Sequence, residues 1–209
     1  MLLTATSASA IDCIGSKDSK KVAVYLHGID TEPPSTQEIQ NRLILSSISK
    51  KLKMGFAVPR AKNKCPDNKS LCWGWNFNDS ESVESAIITA KATKLKCFPK
   101  ATSAGLIGFS NGGFVVNQII KGCRKTEFSW FISIGAGSSW SENDKKDLSK
   151  CSSLILMAGK KDKFNYEPIK ELGKWFKDQK ANVNIVEFND GHSLPEKDLE
   201  NILKSFILE

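Results

Sequence analysis

The sequence predicts an α/β domain: a mainly parallel sheet with helices on both faces. Short segments rich in Val, Ile and Leu alternate with longer amphipathic ones along the chain, the order that a parallel sheet requires. The short segments are apolar at nearly every position, which suits strands covered on both sides. No linker, repeat or low-complexity tract breaks the alternation, so residues 1–209 read as one domain.

The elements follow in order. Residues 1–12 are read as a flexible tail or the remnant of a signal peptide. "MLLTATSASA" has no basic segment and no full apolar run, yet "ASA" before Ile11 has the small-x-small pattern of a cleavage site. An N-terminal strand is left open there. "KKVAVYLHG" supplies a strand over about 21–27. Pro33 and Pro34 bar regular structure after it. Ser35 or Thr36 then caps a helix from about Gln37 to Lys50. "KMGFAVPRA" gives a strand over 54–58 that stops before Pro59.

Asp79 or Ser80 caps a helix that runs to about Leu95. "SAGLIGF" gives the strand 104–109, and "NGGFVVNQIIK" a helix stopped by Gly122. Strands follow over about 129–134, 152–158 and 183–188, with a short polar helix expected over 141–149. "EPIKELGKWFKDQK" forms a helix with Pro168 in its first turn. In the last helix Leu199, Ile202, Leu203 and Phe206 make one apolar stripe.

The net charge of +7 comes from lysines scattered over the chain. The arginines are Arg42, Arg60 and Arg124 alone, so no organised basic stripe points to a nucleic-acid partner. No run approaches the roughly 18 apolar residues of a membrane span. Cys65 and Cys72 bracket the turn-rich "PDNKSL" and are expected to bridge, at about 2.5 kcal/mol for so small a ring. Cys123 and Cys151 each precede a strand at one end of the sheet, where they can meet. No C-x-x-C occurs and neither histidine lies near a cysteine, so no metal site is expected. Cysteines that pair imply an oxidising compartment, secreted or periplasmic.

The chemistry centres on Gly108-Phe109-Ser110-Asn111-Gly112. G-x-S-x-G between a strand and a helix makes a tight turn that holds the serine hydroxyl above the sheet. Ser110 as a plain helix cap is the rival reading. A nucleophilic serine needs a base, and His192 lies in "FNDGHSLP" after the last strand. The imidazole needs an orienting acid. Asp162 follows the strand "SSLILMAG", and Ser110, Asp162, His192 is the chain order expected for this architecture. Asp190 is too near His192 in sequence to reach the far ring nitrogen. The backbone N–H groups of Ile29 and Asn111 are placed as the two donors of an oxyanion hole. His27 is expected to serve structure, its ring bonded to loop backbone.

"LHG" at 26–28, "GFSNGG" at 108–113, "GKKD" at 159–162 and "GH" at 191–192 together resemble the α/β-hydrolase superfamily. "YLHGID" is similar to the carboxylesterase and acyl-thioesterase branch. "CWGW" at 72–75 resembles, less closely, the "CWNW" segment of polyhydroxybutyrate-depolymerase and feruloyl-esterase-like enzymes, from which it departs at Gly74. The resemblance implies a serine hydrolase that works through an acyl-enzyme and needs no cofactor.

The link between the fourth and fifth confident strands is about 17 residues, too short for a cap domain, so an open site is expected that admits a small or polymeric ester. Trp75 and Trp140 are placed as substrate-binding residues, with Trp73 also near the cleft. An ester is the expected substrate. A peptide, an amide or a thioester fits the same constellation, and a noncatalytic binding protein on this scaffold is the reading from another class. Oligomeric state is not read from the sequence.

Overall fold

The computed structural model describes residues 11–75, 80–137 and 146–208. A seven-stranded sheet runs through it. Its strands are β1 (Asp12–Ile14), β2 (Lys21–Leu26), β3 (Gly55–Val58), β6 (Ser103–Phe109), β7 (Trp130–Ile134), β8 (Ser153–Gly159) and β9 (Val183–Phe188). The order across the sheet is β1-β3-β2-β6-β7-β8-β9. Only β1 pairs antiparallel, against β3; every other neighbour is parallel. A separate two-stranded ribbon joins β4 (Asn63–Lys64) to β5 (Leu71–Cys72).

Parallel strands need crossovers, and four helices lie in them: α1 (Thr36–Leu52), α2 (Ser80–Cys97), α3 (Asn111–Lys121) and α4 (Tyr166–Asp178), while α5 (Glu196–Leu208) follows the last strand. Side chains alternate across each strand, so each feeds two cores. Val22, Val24 and Leu26 of β2 pack with residues of α2, α3 and α4, such as Ile87, Val116 and Phe176. Ala23 and Tyr25 point the other way, toward Leu45 and Ile48 of α1 and Leu199 and Leu203 of α5. This two-sided burial explains why the strand segments read as continuous apolar runs. At α1, Ser35 is the cap, its Oγ accepting the Glu38 N–H at 3.2 Å.

The structure departs from the sequence reading in three places. Cys65, just past β4, and Cys72 in β5 are neighbours but are free, buried thiols rather than a disulfide. One bridge joins Cys123 to Cys151, as their placement before two strands allowed, and the other joins Cys13 to Cys97, which the sequence reading did not offer. Cys13 sits in β1, a strand too short to announce itself, so its reach to the end of α2 was hidden. Residues 146–148 of the expected helix over 141–149 are not helical, and 141–145 lie outside the described residues. Residues 1–10 and Trp140 lie outside them too.

Candidate active site

The site lies at the carboxyl ends of the central strands, where open parallel sheets place their functional loops. β6 ends at Phe109 and α3 begins at Asn111, so Ser110 alone makes the turn. Its φ is 50°, a region that L residues rarely enter. Such strain persists only where the surroundings enforce it. Here they do. The Ser110 N–H donates to Ile134 O at 2.8 Å, and the Gly112 N–H donates to His27 O at 3.1 Å. The two flanking glycines are required by contact. A Cβ on Gly108 would lie 2.2 Å from Gly112 O, and one on Gly112 would lie 2.2 Å from Leu26 O. Ser110 Oγ makes no capping bond to α3, so the helix-cap reading of this serine is set aside.

His192 follows β9 and reaches back over the sheet. Its ring lies 4.9 Å, centroid to centroid, from that of Phe109, the residue before Ser110. It also abuts Gly135, where an added Cβ would stand 3.0 Å from ring Nδ1 and Cε1. His192 Nδ1 and Asp162 Oδ2 are 2.6 Å apart. Ser110 and His192 share no hydrogen bond in this structure; the His192 ring lies against the residue before the serine. Asp190 is not a competing acid: its carboxylate accepts from the Gly191 N–H and the Ser193 hydroxyl, within its own turn.

Asp162 is 3% exposed. Burial alone would raise its pKa, but the bonds from His192 and Asn165 outweigh burial and hold the carboxyl below its ordinary value. Asn165 was not foreseen. Its side-chain amide donates to both Asp162 oxygens, at 3.3 and 3.1 Å, and the N–H groups of Phe164 and Asn165 add bonds to Oδ1. A sequence signal existed: Asp followed three residues later by Asn, in a loop that must fold back on its own carboxylate.

Across from the histidine, the loop after β2 carries Ile29. Its backbone N–H and that of Asn111 have no acceptor among the described residues. The loop is fixed on both sides of Ile29. The His27 ring, fully buried, spans Gly28 O at 2.5 Å and the Ala61 N–H at 2.9 Å. Because Nε2 accepts, Nδ1 carries the proton. Burial lowers the pKa of this ring and keeps it neutral. Asp30, also buried, exchanges both backbone bonds with Leu71 and accepts the Ser35 N–H on Oδ1 at 2.8 Å. Arg60 bonds its Oδ2 at 3.4 Å and the carbonyl of Thr31.

Trp73 is a brace rather than a cleft residue. Its N–H donates to Asn111 Oδ1 at 2.8 Å and its Nε1 to His27 O at 3.0 Å, while Asn111 Nδ2 donates to Gly74 O. Trp75, by contrast, is 60% exposed. With Ile29, Phe114, Asn111 and Ser110 it lines an open pocket of about 260 Å³. Phe114 was missed, although it lies four residues after Ser110 and so on the same helix face.

A strained serine between strand and helix, a buried carboxylate bonded to a half-buried imidazole and a seven-stranded mostly parallel sheet together define an α/β-hydrolase. The chain belongs to the serine hydrolase (FSH1) family, whose model matches residues 45–202. No curated protein matches the chain. Among solved structures it is similar to acyl-protein thioesterase 2 of Zea mays, at a TM-score of 0.67 and 16% identity, covering 95% of this chain and 99% of that one. It is also similar to the Bacillus cereus carboxylesterase, at 0.65 and 18%, covering 96% and 94%. At those identities the likeness is one of fold.

Proposed function

We propose that this protein hydrolyses carboxylic esters through a serine acyl-enzyme. Ser110 attacks the carbonyl while His192 takes its proton, and His192 then protonates the leaving alcohol. Asp162 holds the ring with its proton on Nδ1, which leaves Nε2 free to accept. The N–H groups of Ile29 and Asn111 stabilise the oxyanion, where one donor is worth about 3 kcal/mol. Water activated by His192 releases the acid. The observation that carries this reading is the 2.6 Å His192–Asp162 bond, with its ring against the residue before a strained serine.

The substrate is a small-molecule or polymeric ester with an apolar acyl group. The open pocket walled by Ile29, Trp75 and Phe114 supports this; neither nucleic acid nor membrane insertion has a part in it. The acyl-thioesterase reading keeps its standing from the same pocket and the same chemistry. Two disulfides support an oxidising compartment, secreted or periplasmic.

The test compares the parent with Ser110→Ala on p-nitrophenyl esters of graded acyl length, with the corresponding thioesters and anilides alongside. Turnover and fluorophosphonate labelling should both vanish in the variant. Undiminished turnover in Ser110→Ala would refute the nucleophile. Absence of labelling in the folded parent would favour a noncatalytic scaffold.

A further inference from the structure

Behind the brace formed by Trp73 lies a second, polar cavity of about 100 Å³. That is room for about three waters, too little for an acyl chain. Arg60, Lys62, Asn63, Ser85 and Thr89 line it together with Cys72, Trp73 and Ala86, and no carboxylate is among the lining residues. We propose that it binds a tetrahedral oxyanion of the phosphate or sulfate class.

The donor set is the first argument. A small oxyanion is recognised by guanidinium, ammonium, amide and hydroxyl groups converging on one point. Ser85 and Thr89 are four residues apart on α2 and share one face of it, with Ala86 beside them adding little bulk. Asn63 uses one amide hydrogen on Trp73 O at 3.3 Å and keeps a second. Lys62 has no ion-pair partner among the described residues.

The second argument is Arg60 itself. Its side chain is only 10% exposed. Asp30 and Thr31 occupy Nη2, and Glu32 approaches Nη1 at 3.7 Å. Nε is buried and has no acceptor. Buried polar groups are nearly always paired; Arg42 and Arg124 each leave one buried nitrogen unpaired as well, and what sets Arg60 apart is that it lines a cavity without a carboxylate. The two carboxylates facing this arginine sit at its far nitrogens, and neither reaches Nε. An anion in the cavity satisfies Nε and also meets Lys62.

The site is distinct from the ester pocket: it shares no lining residue with it. It nonetheless touches the same scaffold, because Arg60 holds the Ile29 loop through Asp30 and Trp73 holds Asn111.

The experiment is calorimetric titration of the full chain with sodium phosphate and sodium sulfate at fixed ionic strength, with sodium chloride as reference. The comparison protein is Lys62→Ala/Thr89→Val, with Ser85→Ala as a second, milder variant. Phosphate and sulfate should bind saturably at one site where chloride does not. The double variant should weaken them at least about tenfold, as expected for losing a charge-assisted contact. Its turnover of a short ester, without phosphate, should stay within about twofold of the parent, since neither residue touches the ester pocket. A parallel titration with glycerol 3-phosphate separates two sources: tighter binding than inorganic phosphate assigns the site to a phosphate carried on a larger ligand, and equal or weaker binding assigns it to the free ion. No saturable binding of any of these anions, or binding unchanged in both folded variants, overturns the proposal and leaves the cavity to water.

Discussion

Replacing Asp162 by Asn removes one charge and keeps the shape of the side chain, and the surrounding bonds decide which way the new amide turns. Oδ1 accepts the N–H groups of Phe164 and Asn165 at 3.2 and 3.1 Å, so the asparagine oxygen must take that position. Its NH2 then stands where Oδ2 was, 2.6 Å from His192 Nδ1. Two donors cannot face each other. The ring therefore moves its proton from Nδ1 to Nε2, and Nε2 can no longer accept from Ser110. The corresponding change in another serine hydrolase lowers kcat about 10,000-fold, which is about 5.5 kcal/mol on the barrier. The same size is expected here, with KM nearly unchanged because the substrate pocket is untouched. Steady-state turnover of p-nitrophenyl butyrate measures it, with a urea melt to establish that the variant is folded. A folded Asp162→Asn protein whose kcat stays within about tenfold of the parent would refute the tautomer argument.

Other expectations follow from the same geometry. Asp162 has a folded pKa below its ordinary 3.8, so it contributes stability above that value and loses it as pH falls through the lowered one. Urea midpoints taken from about pH 5 down to pH 2 should drop less steeply in Asp162→Asn than in the parent. Gly112→Ala drives a Cβ to 2.2 Å from Leu26 O, which should cost about 1–3 kcal/mol or more in a chemical melt and shift the turn that carries Ser110. Two thiols should titrate with Ellman's reagent after unfolding without reductant, and six after reduction. Cys65, its thiol pushed up to about 12 by burial and by Cys72, should resist alkylation in the native protein. Breaking Cys13–Cys97, which closes 84 residues, should cost about 4.5 kcal/mol by loop entropy, and Cys123–Cys151 somewhat less.

The sheet was legible because its central strands are buried on both faces. Segments such as Lys20–Gly28 and Ser103–Phe109 carry an apolar signal on both faces that no exposed loop imitates. The placement of Ser110, Asp162 and His192 was legible because each follows a strand, and strand ends converge in a parallel sheet. What stayed hidden depends on contacts between short irregular segments. β1 has three residues, and β4 and β5 have two each, too few for any periodicity to show. Without β1 the partner of Cys97 had no position, and sequence proximity suggested pairing Cys65 with Cys72 instead. Trp73 looked like a cleft residue because aromatic composition does not say which way an indole turns. Its bonds to His27 O and Asn111 Oδ1 turn it inward. Arg60 acts through hydrogen bonds that composition does not announce, whereas the Asp-x-x-Asn spacing of Asn165 was there to be read.

The carbonyl of His27 receives both the Gly112 N–H and the Trp73 indole. Three stretches of chain, distant in sequence, are thereby moored to one oxygen, and every anchor in this joint is main chain or fully enclosed. The residues that look outward above Ser110, Ile29 and Trp75, take no part in that mooring with their side chains. Exchange at those two positions alters what the serine meets without shifting the frame that holds it. On the proposed function, these two positions are where substrate preference can be redesigned while the frame around Ser110 stays in place.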